Sequence, residues 1–521
     1  MLLKNGRVLF MSMTVLKQNI LANFLGKSWS ILMGLAFIPL YIKFLGIEVY
    51  GLIGIFVTLQ VTVQLLEFGL SATMNREMAR YSVRPELSEE ACDLARTLEI
   101  VYWIVGIAIG VGICCIAPWI ASNWVRVENL PRNLVQQAIG MMGVTIAIQW
   151  PFCLYSGGLT GLEKQVLLNT IIAFFGTMRG LGAVLVLWLI APNPTVFFSW
   201  QIFIGIIQVI AMMFFFWRSM PVRLRLPHFN VKALQGVWRF TVGMGATGIV
   251  TFFLSQLDKV VLSKVLSLTL FGYYILAKQL DTATQMSSSA IFTAFMPRFS
   301  ALIAQKQESA LRKLYHQGCQ LISLVVLPAS AIIAFFSFDL VSIWMGNDNI
   351  ARMISPIVSI LVFGSALNSM LGLPYDLTVA YGWASFGFYQ NLISSILLVP
   401  LMIILAIRFG GMGAAMIWLI LHIGYLLVSA PIIHFRILRG ELRQWYLIDV
   451  GRPFVISSII VGFGWWFRPR NLAIGLELLL IFAIWLATLF ICAISLPHIR
   501  YRIWDFITTE KCLSYVFKKS S

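Results

Sequence analysis

The chain has 521 residues, 59% of them hydrophobic and only 11% charged, with 38 Lys and Arg set against 21 Asp and Glu for a net charge of +17. Soluble globular domains carry about 25% charged residues, so the composition excludes a soluble enzyme and describes an all-α polytopic membrane protein.

Apolar blocks of about 20 residues, enough to cross a hydrocarbon core of about 30 Å, recur from Ile20 to Leu496 and number about fourteen. The first, 20–43, carries Asn19, Asn23, Lys27, Ser30 and Gly34 at steps of three or four residues, which places them on one helical face. The second, 50–71, carries Gln60, Gln64 and Glu67 in the same way. Spans at 98–120 and 134–158 follow, and Gly157, Gly158 and Gly161 then read as a turn, because neither a preceding strand nor a GK[ST] ending marks a phosphate loop. The fifth span, 166–190, holds Arg179 too deep to snorkel, with no acidic residue from Gln165 to Ala191. A mid-membrane Arg costs about 2.5–3.5 kcal/mol on insertion scales and marks a functional site or a partner on another helix.

After the sixth span, 196–217, the basic stretch 218–239 reads as a linker. The seventh, 238–258, bears Thr251, Ser255 and Asp258, and the eighth, 269–295, bears a stripe of Lys278, Asp281, Gln285, Ser288 and Ser289. Spans at 314–338 and 353–380 follow. Asp376 lies behind Pro374 in the latter, where a broken helix would expose backbone carbonyls. The remaining spans are 384–408, 411–435, 453–467 and 472–496. No connection exceeds about 30 residues, which leaves no room for a soluble catalytic domain.

About 26 of the 38 basic residues fall in the two tails and in alternate loops, placing both termini in the cytoplasm. Positive-inside topology and attraction to anionic lipid account for this charge, and nucleic acid is not an expected partner. The start of the chain lacks an uninterrupted signal-peptide core. The seven cysteines and five histidines are dispersed, so no metal site, cofactor or disulfide framework is expected.

Shifted by 221 residues, Lys43–Gly51 falls without a gap on Lys264–Gly272, and with a shift of 222 Met74, Arg76 and Asn169 fall on Met296, Arg298 and Asn391. These matches predict two parallel six-helix repeats. The expected organisation is a tail and first half over 1–217, a basic cytoplasmic linker over 218–237, a second half over 238–437, and two additional helices with a basic tail over 438–521.

The candidate cavity residues are Asn23, Lys27, Arg179, Lys278 and Gln285. Lys27 is near enough to its helix start for snorkelling to compete with substrate contact. Lys278 has Asp281 one turn away, so an internal ion pair competes with an anion site. Glu67, Asp258, Asp281 and Asp376 are the candidates for ion coupling, although Asp258 and Lys259 also suit an interfacial pair.

The segments PLYIKFLGIEVYG, LLEFGLSATMNREMAR, YSGGLTGLEKQVLLN, GTMRGLGAVLVL and QLDKVVLSKVLSLTLFGYY together resemble the polysaccharide transporter family, the O-antigen repeat-unit flippases. Their superfamily also holds multidrug and toxin extruders and lipid-linked peptidoglycan-precursor flippases. Glu67 and Glu163 depart from the residues expected there, and 440–521 shows no family motif. The resemblance implies a MATE-like arrangement of the two halves. It also implies a substrate of undecaprenyl diphosphate carrying a short oligosaccharide, flipped across the bacterial cytoplasmic membrane by alternating access through a cationic cavity, with membrane lipid, a polysaccharide polymerase and chain-length machinery as partners. A hydrated anionic head cannot cross lipid unaided, while its polyprenyl tail can remain in lipid throughout. Two rivals are a cation-coupled MATE-type exporter, which should need a prominent carboxylate where the first span has none, and a membrane-embedded polymerase or ligase, which should need a large external loop.

Overall fold

A computed structural model describes residues 2–67, 69–82, 88–220, 227–231, 256–469 and 472–501. The described residues are helical apart from turns, short connections and one isolated bridge between Arg126 and Ser267. Ten of the helical runs are long and apolar enough to cross a membrane, and the protein is a multi-pass membrane protein.

The first compact unit, Met1–Gly272, begins with α1 (Leu2–Ala36) and α2 (Ile38–Gln64). The apolar block at 20–43 is therefore divided at Phe37, and α2 includes the connection expected at 44–49. Gly46 interrupts α2 with φ +82°, a conformation that glycine adopts without a Cβ penalty. A 3-10 turn (Leu65–Glu67) leads to α3 (Leu70–Ser82). Then come α4 (Ser88–Trp119) with a π turn at Ile120–Trp124, α5 (Arg132–Gln149), α6 (Phe152–Gly161), α7 (Gln165–Leu189) and α8 (Pro194–Ser219). A helical segment over 256–265, α9, precedes α10 (Leu268–Ala304). Most of the seventh predicted span, including Thr251 and Ser255, lies outside the described residues.

Gly157, Gly158 and Gly161 do not form the expected turn; they lie within α6. A Cβ on Gly157 or Gly161 would run into the carbonyl oxygens of Ser71 or Asn75 on α3, and one on Gly158 into the Phe216 ring. The glycines thus let α6 pack backbone to backbone on α3, and the chain turns after them, at Glu163 with φ +57°. Buried Glu99 joins three helices of this unit: it pairs with Arg96 at 2.6 Å, accepts from Tyr155 Oη at 2.6 Å and accepts from Trp217 Nε1 at 3.1 Å. The described part of the linker docks on α4, where His228 N donates to Asp93 and Asn230 N to Thr97 Oγ1.

The second unit, Tyr273–Ser521, contains the rest of α10 and then α11 (Glu308–Phe335), α12 (Ser337–Met345), α13 (Asp348–Ala380) and α14 (Ala384–Gly424). Next come a π turn at Tyr425–Ser429, α15 (Ala430–Arg436), α16 (Leu442–Gln444), a π turn at Trp445–Gly451, α17 (Arg452–Trp466) and α18 (Ile474–Ser495). The 52-residue helical run Ser385–Arg436 would be about 78 Å long if straight, far beyond one bilayer crossing. It breaks at Gly410, with φ +58°, and a Cβ on Gly413 would run into the Leu405 carbonyl, so the chain turns back where the boundary between 384–408 and 411–435 was expected. Pro374 does not break α13, which is continuous to Ala380.

The core of this unit gathers α11, α13, α15 and the segment at Trp445 around Tyr315, Met370, Leu373 and Trp445. Beside it, His316 Nδ1 contacts Asp449 and Nε2 lies 3.2 Å from Glu441. Gln320 Nε2 donates to Asp449 at 2.8 Å, and His498 N donates to Gln320 Oε1 at 3.0 Å. These bonds tie the segments on both sides of α17 and α18 to α11.

Candidate substrate-binding site

Arg179 sits in the middle of α7, where neighbouring glycines admit large rings: Gly180 accommodates Phe37, and Gly182 accommodates Trp200. Tyr41 Oη donates to the Gly180 carbonyl at 3.2 Å, and Trp200 Nε1 to that of Met178 at 3.3 Å. This packing fixes the backbone on both sides of the arginine and turns its side chain into a cavity of about 500 Å³ within the first unit.

Five glutamines line that cavity with Arg179: Gln60 and Gln64 from α2, Gln149 from α5, and Gln201 and Gln208 from α8. Arg179 Nη2 donates to Gln208 Oε1 at 2.6 Å. With its amide oxygen turned toward the guanidinium, Gln149 accepts from Nη1 at 3.0 Å and from Nη2 at 3.2 Å. A guanidinium has only donors, so it requires this orientation. Trp29, Tyr41, Phe56, Phe152 and Phe197 supply aromatic surface. No carboxylate is among the lining residues. The arginine is hydrogen-bonded there without being neutralised, leaving a positive site amid amide groups that both donate and accept.

The polar face expected on α1 divides between two tasks. Asn23 Nδ2 donates to Gln165 Oε1 at 2.5 Å and Asn23 Oδ1 accepts from Asn169 at 2.6 Å, while Asn19 donates to the Glu163 carbonyl at 3.4 Å. Asn23 therefore fastens α1 to α7. Ser30 and Gly34 line the cavity with Arg179, whereas Lys27 is exposed and outside the lining.

Lys278 and Asp281 belong to the second unit and meet each other. Lys278 Nζ lies 2.8 Å from Asp281 Oδ2 and 4.1 Å from the centre of the Trp418 ring, and the two residues are 8% and 0% exposed. Gln285 Nε2 donates to the same Asp281 oxygen at 3.0 Å and to Ser365 Oγ at 3.1 Å. The cation is neutralised within its own helix.

The Glu67 carboxylate accepts from Ser71 N at 2.9 Å and from Tyr102 Oη at 2.8 Å, capping α3. Asp258 lies half-buried on α9 beside Lys259, whose Nζ donates to Gln256 at 2.7 Å. Asp376 Oδ2 is buried with no hydrogen-bond partner among the described residues. Sequence reasoning missed Gln149, Gln201 and Gln208. The seven-residue spacing of Gln201 and Gln208, which puts two amides on one face of an otherwise apolar helix, was an available signal.

Residues 42–351, more than half of the chain, match the polysaccharide biosynthesis protein family, and the chain belongs to it. It is 19% identical over 297 residues to a putative O-antigen transporter of Shigella flexneri, an alignment covering 57% of this chain and 69% of the relative. It is 22% identical over 231 residues to the lipopolysaccharide biosynthesis protein WzxC of Escherichia coli, covering 44% of this chain and 46% of the relative. Among solved structures it is similar to the lipid II flippase MurJ in an inward closed conformation, with a TM-score of 0.68, 13% identity and coverage of 90% of this chain and 97% of that one. An inward-facing multidrug-resistance MATE transporter gives a TM-score of 0.61 at 13% identity, covering 80% and 96%. At this identity the structural likeness is one of fold.

Proposed function

Proceeding from that family membership, we propose that the protein is a flippase that moves undecaprenyl-diphosphate-linked oligosaccharide units across the bacterial cytoplasmic membrane for surface polysaccharide assembly. The relatives named as an O-antigen transporter and a lipopolysaccharide biosynthesis protein support this reading. The observation that carries it is the cavity around Arg179: one cation without a carboxylate, five glutamines and several aromatic rings. Amides exchange hydrogen bonds with sugar hydroxyls, the rings cover their apolar faces, and the guanidinium offsets the desolvation of an anionic group. The polyprenyl tail needs no site in this cavity, because it remains in lipid while the head crosses.

In this reading both termini are cytoplasmic, and the residues over 1–217 and 238–437 form two six-helix halves that alternate access around the head group. Of the residues expected to meet substrate, Arg179 has the setting for direct contact; Lys278 and Gln285 act through the internal network, and Asn23 through α7. Among the candidates for ion coupling, Asp281 and Asp376 each have a buried carboxylate oxygen with no hydrogen-bond partner among the described residues, and Asp281 is already paired with Lys278, which leaves Asp376 the better placed to take a coupling proton.

The test is reconstitution of the purified full chain in vesicles carrying undecaprenyl-diphosphate oligosaccharide on one leaflet, with exposure to an external glycosidase read over time. Acceleration over protein-free vesicles is expected. Equal rates with and without the protein refute the assignment.

A further inference from the structure

The repeated segments Lys43–Gly51 and Lys264–Gly272 pack against each other. A Cβ on Gly51 would strike the carbonyl oxygen of Leu268, and one on Gly272 would strike that of Ile47. Under the shift of 221 residues, Gly51 corresponds to Gly272 and Ile47 to Leu268, so each contact is the image of the other. Such reciprocity is the mark of a local two-fold relation.

The connection between α4 and α5 spans this crossing. Trp124 Nε1 donates to Ser263 Oγ at 3.0 Å, and Lys264 Nζ lies 4.9 Å from the centre of the Trp124 ring. Arg126 forms a parallel bridge with Ser267, and its backbone carbonyl accepts from Leu268 N at 2.9 Å. Glu128 Oε2 accepts from Thr269 Oγ1 at 2.6 Å. On the other side, buried Glu48 of α2 accepts from Glu128 N at 2.7 Å and from Asn129 N at 3.1 Å. One short extended segment thus holds α2 through Glu48, α9 through Ser263 and Lys264, and the entry to α10 through Ser267, Leu268 and Thr269. Hydrogen bonds from Ser267 and Thr269 also hold the Glu128 carboxyl below its ordinary range.

We propose that residues 124–130 are a latch that fastens the entry of α10 to α2 and must release before the cavity opens to the face on which the latch lies. The distribution of basic residues assigns that face to the periplasm. The glycine crossing supplies a close, smooth contact, and the latch supplies polar bonds that can be exchanged for water at modest cost. The inference rests on the flippase reading for the purpose of the motion, but not for the motion itself.

The test uses the full chain with Arg126→Cys and Ser267→Cys, in a background where Cys153, which lines the cavity, is the one native cysteine kept. Bridged residues lie about 4.8 Å apart, within disulfide reach. Membrane-impermeant maleimide added outside intact cells should label Cys153 in the reduced protein, read on its own peptide by mass spectrometry apart from the two engineered thiols, and oxidation should cut the Cys153 labelling at least about tenfold, reversibly. A companion variant, Thr269→Val, should raise the labelling rate by about three- to tenfold, as loss of one solvent-exposed hydrogen bond implies. Labelling unchanged in both variants overturns the latch. Blocked labelling with undiminished surface-glycan assembly upholds the latch and refutes the flippase reading.

Discussion

Replacing Lys278 by methionine should cost more stability than any change to the proposed transport contacts. Asp281 is fully buried, and the methionine would leave its carboxylate with a single bond from Gln285 at 3.0 Å. Breaking a buried pair by removing one partner typically costs about 3–5 kcal/mol. Asp281→Asn is milder, because Lys278 keeps the Trp418 face 4.1 Å away, an interaction of about 2 kcal/mol when desolvated. The amide can also retain the bond from Gln285. A loss of about 1–3 kcal/mol is expected. Replacing both residues, as Lys278→Met with Asp281→Leu, removes both charges and should return stability to within about 1–2 kcal/mol of the parent, since apolar substitutes for a buried pair are often neutral. The assay is the temperature of half-loss of monodisperse protein in detergent, with vesicle flipping measured on the same samples. If the double variant is no more stable than Lys278→Met alone, Asp281 does not neutralise the lysine. Lys278 would then return as a cation available to substrate.

Arg179→Ala should lower flipping by about ten- to a hundredfold at unchanged membrane abundance, the scale of a lost charged hydrogen bond. Arg179→Lys should restore part of the rate, because a point charge cannot reproduce the planar fork. Gly157→Leu and Gly161→Leu should deplete the protein from the membrane by forcing α6 off α3, by about 1–3 kcal/mol or more; Gly176→Ala, with no atom within 4 Å of the new Cβ, is the control, and immunoblots decide. At Glu441, burial pushes the carboxyl up, but hydrogen bonds from Arg312 and His316 outweigh it and hold it below its ordinary range. Its contribution to holding 441–451 on α11 is therefore complete above the ordinary carboxylate range and is lost as pH falls through the depressed value. Hydrogen exchange over 441–451 should accelerate at acid pH, and Glu441→Gln should abolish that acid step.

Local signals revealed the helices and the anomalous cation, because apolar length and charge placement are written along the chain. Arg179 could be singled out since its own helix offered no acid; its partners Gln149 and Gln208 come from other helices and could not be read from that segment. The glycines of α6 illustrate a different limit. Their composition suits a turn and a tight helix crossing equally, and only the position of the Ser71 and Asn75 carbonyls decides. His316 and Asp449 are 133 residues apart, and Glu48 and Glu128 are 80 apart, so no local spacing announces either contact. The match between Lys43–Gly51 and Lys264–Gly272 is visible along the chain, but the reciprocal packing of Gly51 and Gly272 depends on where the Leu268 and Ile47 carbonyls lie.

The two units treat Arg179 and Lys278 in opposite ways. Lys278 has a carboxylate at 2.8 Å on the same helix, so bringing an anion to it would require Asp281 to be displaced or protonated. Arg179 is held by amide oxygens, which orient the guanidinium while leaving its charge intact. Amides give up hydrogen bonds to an arriving anion without exposing a competing negative charge, whereas a carboxylate would repel that anion as it approached. A glutamine-held arginine is thus suited to binding that must be reversed in every cycle. Replacing Gln208 by glutamate tests this directly: the fold should tolerate the nearly isosteric change, the new carboxylate should neutralise Arg179, and flipping should fall as far as in Arg179→Ala. Full activity in Gln208→Glu would show that the charge of Arg179 plays no part in carrying the head group.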